Sequence, residues 1–220
     1  MSTKNFSFQV SAEIGKVSST FTIPKKPLCM MTLAHGAGAG MDHPFMVELA
    51  NALAEKNIGI LRFNFPFVEN RKRRPDFPAV AHKTIEAALQ QSKKNYPSLP
   101  LFLSGKSFGG RMSSQYLALH PAAAVEGIIF YGFPLHPAKK PSTERAEHLE
   151  NVKQPMLFLQ GTRDALAEWP LVDEVCSSLA NACLLKFEGA DHGFKKAKEN
   201  LVPELARQTK EWIDTILLQL

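Results

Sequence analysis

From residue 27 onward, short apolar runs alternate with amphipathic stretches, and few folds satisfy that alternation. The runs at 28–34, 58–64, 100–106, 125–131, 154–160 and 183–188 have the length and composition of strands. Gly127-Ile128-Ile129-Phe130-Tyr131 is apolar at odd and even positions alike, as a strand covered on both faces must be. The segments at 43–56, 79–94, 108–119, 170–181 and 198–219 carry apolar residues at helical spacing. Strand–helix alternation predicts an α/β fold: a doubly wound, mostly parallel sheet with helices on both faces. Ahead of it, Phe6-Ser7-Phe8-Gln9-Val10 and Val17-Ser18-Ser19-Thr20-Phe21-Thr22-Ile23 alternate with period two and read as antiparallel edge strands. No linker, repeat or low-complexity tract interrupts the pattern, so 1–220 reads as a single domain.

One loop in this pattern carries chemistry. Just after Leu101-Phe102-Leu103 comes Gly105-Lys106-Ser107-Phe108-Gly109-Gly110, and a helical segment ending before Pro121 follows. A G-x-S-x-G between strand and helix is the sequence form of a nucleophile elbow, a turn so sharp that it pushes the serine Oγ outward. The glycines leave room for the crowded backbone. Taken alone, the motif is also an ordinary glycine-rich turn. An acid and a histidine in the order Ser, Asp, His decide between the two readings. Asp164 follows the strand-like Met156-Leu157-Phe158-Leu159-Gln160, and His192 follows Cys183-Leu184-Leu185-Lys186-Phe187. All three candidates thus fall past the C-terminal ends of predicted parallel strands, where open α/β sheets gather their ligands.

Upstream, the strand-like Leu28-Cys29-Met30-Met31-Thr32-Leu33-Ala34 runs into His35-Gly36-Ala37-Gly38-Ala39-Gly40. A small-residue loop there can bring a backbone N–H beside the nucleophile. Ala37 and Phe108 are the expected oxyanion-hole donors. The spacing is G-x-G-x-G and no Walker lysine follows, which makes nucleotide binding the lesser reading.

With H-G-A-G-A-G, R-F-N-F, G-K-S-F-G-G-R-M, Q-G-T-R-D and D-H-G-F in place, the sequence resembles an α/β hydrolase over nearly its whole length. More narrowly it resembles small, lidless, dienelactone-hydrolase-like proteins, and it is similar to hydrolase-like domains in a subunit of a chromatin acetyltransferase complex. Dienelactone hydrolases use a cysteine where this chain has Ser107. The resemblance implies the α/β-hydrolase fold without a large lid and a Ser107–His192–Asp164 triad acting through an acyl-enzyme. The acyl-transfer chemistry of such a triad points to a small-molecule acyl substrate, such as a small ester. A thioesterase, acyltransferase or peptidase would share that triad. A non-catalytic interaction protein would keep the fold without needing it. No cofactor and no metal are expected.

The remaining residues modify this picture. The 133–153 stretch, where lids are inserted, holds three prolines and one short amphipathic segment at 143–149, which leaves the site open. Phe65, Phe133 and Phe194 stand at strand ends, either lining an apolar acyl pocket or belonging to the core. His35 is expected to hold its loop by hydrogen bonding, and His43 to reach the cleft mouth. His82, His120, His136 and His148 read as surface or capping residues. Asp191 is expected to point away from His192, with Glu188 and Asp173 as weaker substitutes for Asp164. Lys106 is expected to tune little, and Arg111 to sit in a structural ion pair.

The net charge of +5 is concentrated in Arg71-Lys72-Arg73-Arg74. That run reads as a solvated loop, with steering of an anionic substrate or docking of a protein partner as alternatives. No aromatic platform or reader motif accompanies it, so no nucleic acid is expected. No apolar stretch approaches the roughly 20 residues needed to span a bilayer. The first residues lack a signal-peptide pattern, and Cys29, Cys176 and Cys183 show no paired spacing. Together these point to a cytoplasmic location.

Overall fold

A computed structural model of the chain describes residues 1–197 and 199–219. Its strands are β1 (Ser2–Ser11), β2 (Gly15–Ile23), β3 (Cys29–Ala34), β4 (Ile58–Phe63), β5 (Leu101–Lys106), β6 (Gly127–Tyr131), β7 (Met156–Gly161) and β8 (Ala182–Phe187). They form one sheet in the order β1-β2-β4-β3-β5-β6-β7-β8. The β1–β2 and β2–β4 pairings are antiparallel, and every pairing from β4 to β8 is parallel. The expected architecture is the observed one.

Helices cover both faces, and β3 shows how. Successive side chains of a strand point to opposite sides. Cys29, Met31 and Leu33 join a core built with α1 (Pro44–Glu55) and α6 (Val202–Leu217). Met30 and Ala34 face the other core, formed with α3 (Pro78–Asn95), α4 (Phe108–Leu119) and part of α5 (Trp169–Ser178). Every residue of β3 and β4 is buried, as strands covered on both faces require.

The strand order places the site. From β3 the chain crosses to β4 on one side and later returns to β5 on the other. The loops after β3 and β5 therefore diverge, opening a crevice at the carboxyl ends of the strands. His35 ties this edge together. The Phe65 N–H donates to its Nε2 at 3.0 Å, so the ring proton lies on Nδ1 and is donated to the Gly36 carbonyl at 2.8 Å. The loops after β3 and β4 are thereby bonded through one fully buried, neutral imidazole.

Several boundaries differ from expectation. The helix expected at 170–181 stops at Ser178, and Asn181 donates to the carbonyls of Val152 and Gln154 at 3.0 and 2.8 Å. The helix expected at 198–219 runs from Val202 to Leu217, and residue 198 lies outside the described residues. Pro203 explains the late start: proline suits a helix's first turn but clashes with residue i−4 inside one. Before it, Lys195–Lys196 pairs with Glu199–Asn200 as the small hairpin strands β9 and β10. A four-residue helix, α2 (Pro66–Glu69), follows β4 unannounced by any periodicity. The segment expected at 143–149 is a 3-10 helix over Glu144–Asn151. His136 is buried, unlike the surface residue expected, because its ring accepts from the Glu168 N–H and bonds the Pro137 carbonyl.

Two predictions follow from this packing. The elbow touches β3 backbone to backbone, since a Cβ on Gly109 would lie 2.4 Å from the Ala34 carbonyl oxygen. Neither strand nor helix can yield there, so Gly109→Ala should lower unfolding free energy by about 3 kcal/mol or more, measured by urea denaturation. The second concerns acid. Burial lowers the His35 pKa from 6.5 to about 4, so between those values the unfolded chain binds the extra proton. The His35 contribution is full above about pH 6.5 and is lost as pH falls to about 4, on the order of 3 kcal/mol. His148, also held near 4 by burial, adds to the same window. His35→Asn should therefore show a smaller stability loss between pH 7 and 4.5 than wild type. An equal loss in both proteins contradicts the assignment to His35.

Candidate active site

Ser107 sits between β5 and α4 with φ 51° and ψ −116°, a backbone conformation that a residue with a side chain avoids. Its Oγ meets His192 Nε2 at 2.8 Å, and His192 Nδ1 meets Asp164 Oδ2 at 2.7 Å. The three residues proposed from sequence are therefore in one hydrogen-bonded chain. The Asp164 side chain has no exposure and that of His192 is 25% exposed, so the chain runs from the sheet edge out to solvent.

Both oxygens of Asp164 are hydrogen-bonded. Oδ2 also accepts from Gln160 Nε2 at 2.6 Å, and Oδ1 accepts from the Leu166 N–H at 2.8 Å. Gln160 is itself fixed, because its Oε1 accepts from the Phe133 N–H at 2.8 Å. A carboxylate so bound cannot swing away from the imidazole. The sequence reading passed over Gln160. Its signal was a single polar residue closing the apolar strand Met156-Leu157-Phe158-Leu159.

A cavity of about 830 Å³ opens beside Ser107. Gly36, Ala37, Lys106, His192 and Phe194 are among its walls, and α1 contributes Phe45 and Met46. Phe194 and Phe45 lie nearly parallel, with centroids 6.1 Å apart. His43 reaches the cavity, as expected, and its Nδ1 also accepts from the Phe45 N–H to cap α1. Of the three phenylalanines expected to line the pocket, only Phe194 does. Phe65 is fully buried, edge-on to His35 and Phe108, and Phe133 packs against Phe130 and Phe158. The core reading is correct for both. Each stands two residues past the end of a strand and turns back into the layer between sheet and helix.

The loop after β3 lies against Ser107, with a Cβ built on Gly36 only 3.6 Å from the Ser107 Cβ. On the other side, Phe108 opens α4 with its ring packed against Phe65 and Phe67. The first amides of a helix have no partner within it and carry the positive end of its dipole.

The other expectations have separate outcomes. Asp191 Oδ1 accepts from the Gly193 and Lys195 N–H groups at 2.8 and 2.9 Å, and so points away from the imidazole. Glu188 pairs with Lys186 at 2.8 Å and accepts from Thr162 Oγ1 at 3.2 Å. Arg111 forms no ion pair among the described residues, contrary to expectation. Lys106 is engaged with the His192 loop, where little was expected of it. Arg71, Lys72, Arg73 and Arg74 are all exposed, and none lines the cavity. Burial pushes the Cys29 and Cys176 thiols up to about 12, so neither is a thiolate near neutral pH. Among the described residues no cluster of three or more His, Cys, Asp or Glu is placed to hold a metal. No described helix is long and apolar enough to cross a membrane.

Comparison with known proteins agrees with the fold. An α/β serine hydrolase homologue from Coxiella burnetii superposes with a TM-score of 0.77 at 22% identity, covering 96% of this chain and 97% of that one. A dienelactone hydrolase from Anabaena variabilis gives 0.77 at 18%, covering 98% and 99%. A serine hydrolase without a lid from Xanthomonas campestris gives 0.73 at 19%, covering 98% and 96%. At these identities the likeness is one of fold. A stretch of 119 residues, 53% of this chain, is 26% identical to protein phosphatase methylesterase 1 of Candida albicans, and spans only 32% of that protein's length. The family model described as an alpha/beta hydrolase domain matches residues 28–216, from the first parallel strand to the last helix. By that match this chain belongs to the α/β hydrolases.

Proposed function

We propose that this protein is a serine hydrolase that cleaves a small ester through an acyl-enzyme on Ser107. The observation that carries this reading is the unbroken chain from Ser107 Oγ through His192 to Asp164 at the wall of an open cavity. A scaffold has no need of a strained serine bonded to an oriented imidazole. The methylesterase relative supports an ester as the bond cleaved.

In the proposed reaction His192 Nε2 takes the Ser107 proton as Oγ attacks the ester carbonyl. The carbonyl oxygen becomes an oxyanion facing the Ala37 and Phe108 amides, each such donor being worth about 3–4 kcal/mol in the transition state. Asp164 keeps the proton of neutral His192 on Nδ1 and stabilises the imidazolium that forms. That imidazolium protonates the leaving alkoxide. Water then enters, gives its proton to His192 and attacks the acyl carbon, and the serine leaves with the proton returned.

Two predictions test this reading. A fluorophosphonate should modify wild type at Ser107, and mass spectrometry should find Ser107→Ala unmodified. Equal labelling of the two removes Ser107 from its role. Asp164→Asn should fold as wild type by circular dichroism, because the amide can still meet Gln160 or Leu166. It should label on the order of 10³–10⁴-fold more slowly, since an amide no longer favours the productive tautomer. An Asp164→Asn protein labelled at the wild-type rate transfers the role to another acid.

A further inference from the structure

Lys106 precedes the nucleophile, and the reaction above gives it no task. Its Nζ nevertheless donates to the His192 carbonyl oxygen at 2.5 Å and lies 5.6 Å from the centroid of the Phe194 ring. Both partners belong to the loop that carries the base.

That loop has a distance to cover. It leaves β8, three strands away from β5, and at the usual strand spacing must reach back about 14 Å to Ser107. On its β7 side, Thr162 Oγ1 accepts from the Gly189 N–H at 2.8 Å, and the Arg163 N–H donates to the Ala190 carbonyl at 2.9 Å. Asp191 closes the turn on itself through the Gly193 and Lys195 amides. Phe194 adopts a φ of 57°, a strained value that its packing against Phe45 and Phe187 maintains. None of these contacts reaches β5. Lys106 supplies the tie to the strand that carries the nucleophile. Gly132 makes room for it, since a Cβ there would lie 3.1 Å from Nζ.

We propose that Lys106 is a positioning residue whose ammonium fastens the His192 loop to the nucleophile strand and so holds the imidazole in line with Ser107 Oγ. The proposal rests on the serine-hydrolase reading above. A charged donor binds a carbonyl about twice as strongly as a neutral one, and the attraction to the Phe194 ring exists only for the cation. The charged or titratable groups facing it are Asp164 from the loop after β7, and Asp191 and His192 from the loop after β8. None of them lies within ion-pair distance of Nζ. Burial lowers the Lys106 pKa from 10.5 to about 8, opposed by the two carboxylates. The fastening is therefore charged below about pH 8 and loses its charge as pH rises through that value.

The test is the rate of fluorophosphonate labelling at Ser107 across pH 6 to 10, in wild type, Lys106→Met and Lys106→Arg. Methionine keeps the apolar stem and removes the charge, while arginine keeps a charge throughout this range. Wild type should lose about tenfold or more in rate above pH 8. Lys106→Met should be slower by a similar factor at pH 7 and flat above it, and Lys106→Arg should show no fall above pH 8. A Lys106→Met protein labelled at the wild-type rate, or one keeping the wild-type fall above pH 8, overturns the role. So does a rate loss matched by a loss of folded protein in circular dichroism. A wild type that is never labelled at Ser107 is a separate result, which removes the hydrolase reading and this role with it.

Discussion

The contact on which the site depends is the one between the first turn of α4 and the end of β3. Gly109 lies so close to the Ala34 carbonyl that no side chain fits between them. That approach leaves the chain at Ser107 no route from strand to helix except the positive-φ turn it takes. The strain is held in place by packing on both sides, and the Ser107 N–H also donates to the Tyr131 carbonyl at 3.4 Å. The rest of the candidate site is measured from that point. The loop after β3 begins one residue past the contact, so Gly36 is carried to Ser107 by the same approach that strains it.

A parallel sheet then does the rest of the positioning. Ser107, Asp164 and His192 follow β5, β7 and β8, and all three strands point the same way. Their loops emerge on one edge without any of them having to fold back along the sheet. What differs is the reach each side chain needs. Ser107 needs none, and Asp164 is locked where its strand ends by Gln160 and Leu166. His192 comes from the far strand and must be brought across. His192 is thus the member of the set that relies most on contacts outside its own loop, and its side chain is 25% exposed where that of Asp164 is fully covered.

Legibility in the sequence follows the same division. The strands, the elbow and the order Ser107, Asp164, His192 were readable because each rests on a local pattern: an apolar run, a glycine spacing, a position after a strand. The core residues Phe65 and Phe133 were not separable from pocket residues, since both stand two residues past strands just as pocket residues do. Which way such a ring turns is set by a tertiary neighbour, Phe108 for one and Phe158 for the other. The start of α6 was misplaced although Pro203 marks it, because the charged residues ahead of it fit a helix and a hairpin equally well. Lys106 was discounted because its neighbours in sequence say nothing of the loop 86 residues away that it meets.

Buried polar side chains on the strands sort by position in a way that bears on both Gln160 and Lys106. In mid-strand, Ser104 Oγ donates to the Thr32 carbonyl of the neighbouring strand at 2.7 Å. That bond stays within the sheet and satisfies a group that burial would otherwise penalise. At the carboxyl ends the pattern changes. Gln160, next to last in β7, and Lys106, last in β5, both bond groups of the catalytic loops rather than the sheet. A hydroxyl is short enough to be satisfied by an adjacent strand, whereas an amide or an ammonium on a longer stem can leave the sheet and reach a loop. Long polar residues at strand ends are costly to bury, and a more apolar residue would pack there with less penalty. Their presence at this edge, one bonded to Asp164 and the other to the His192 loop, is explained by the need to hold two side chains that arrive from separate strands.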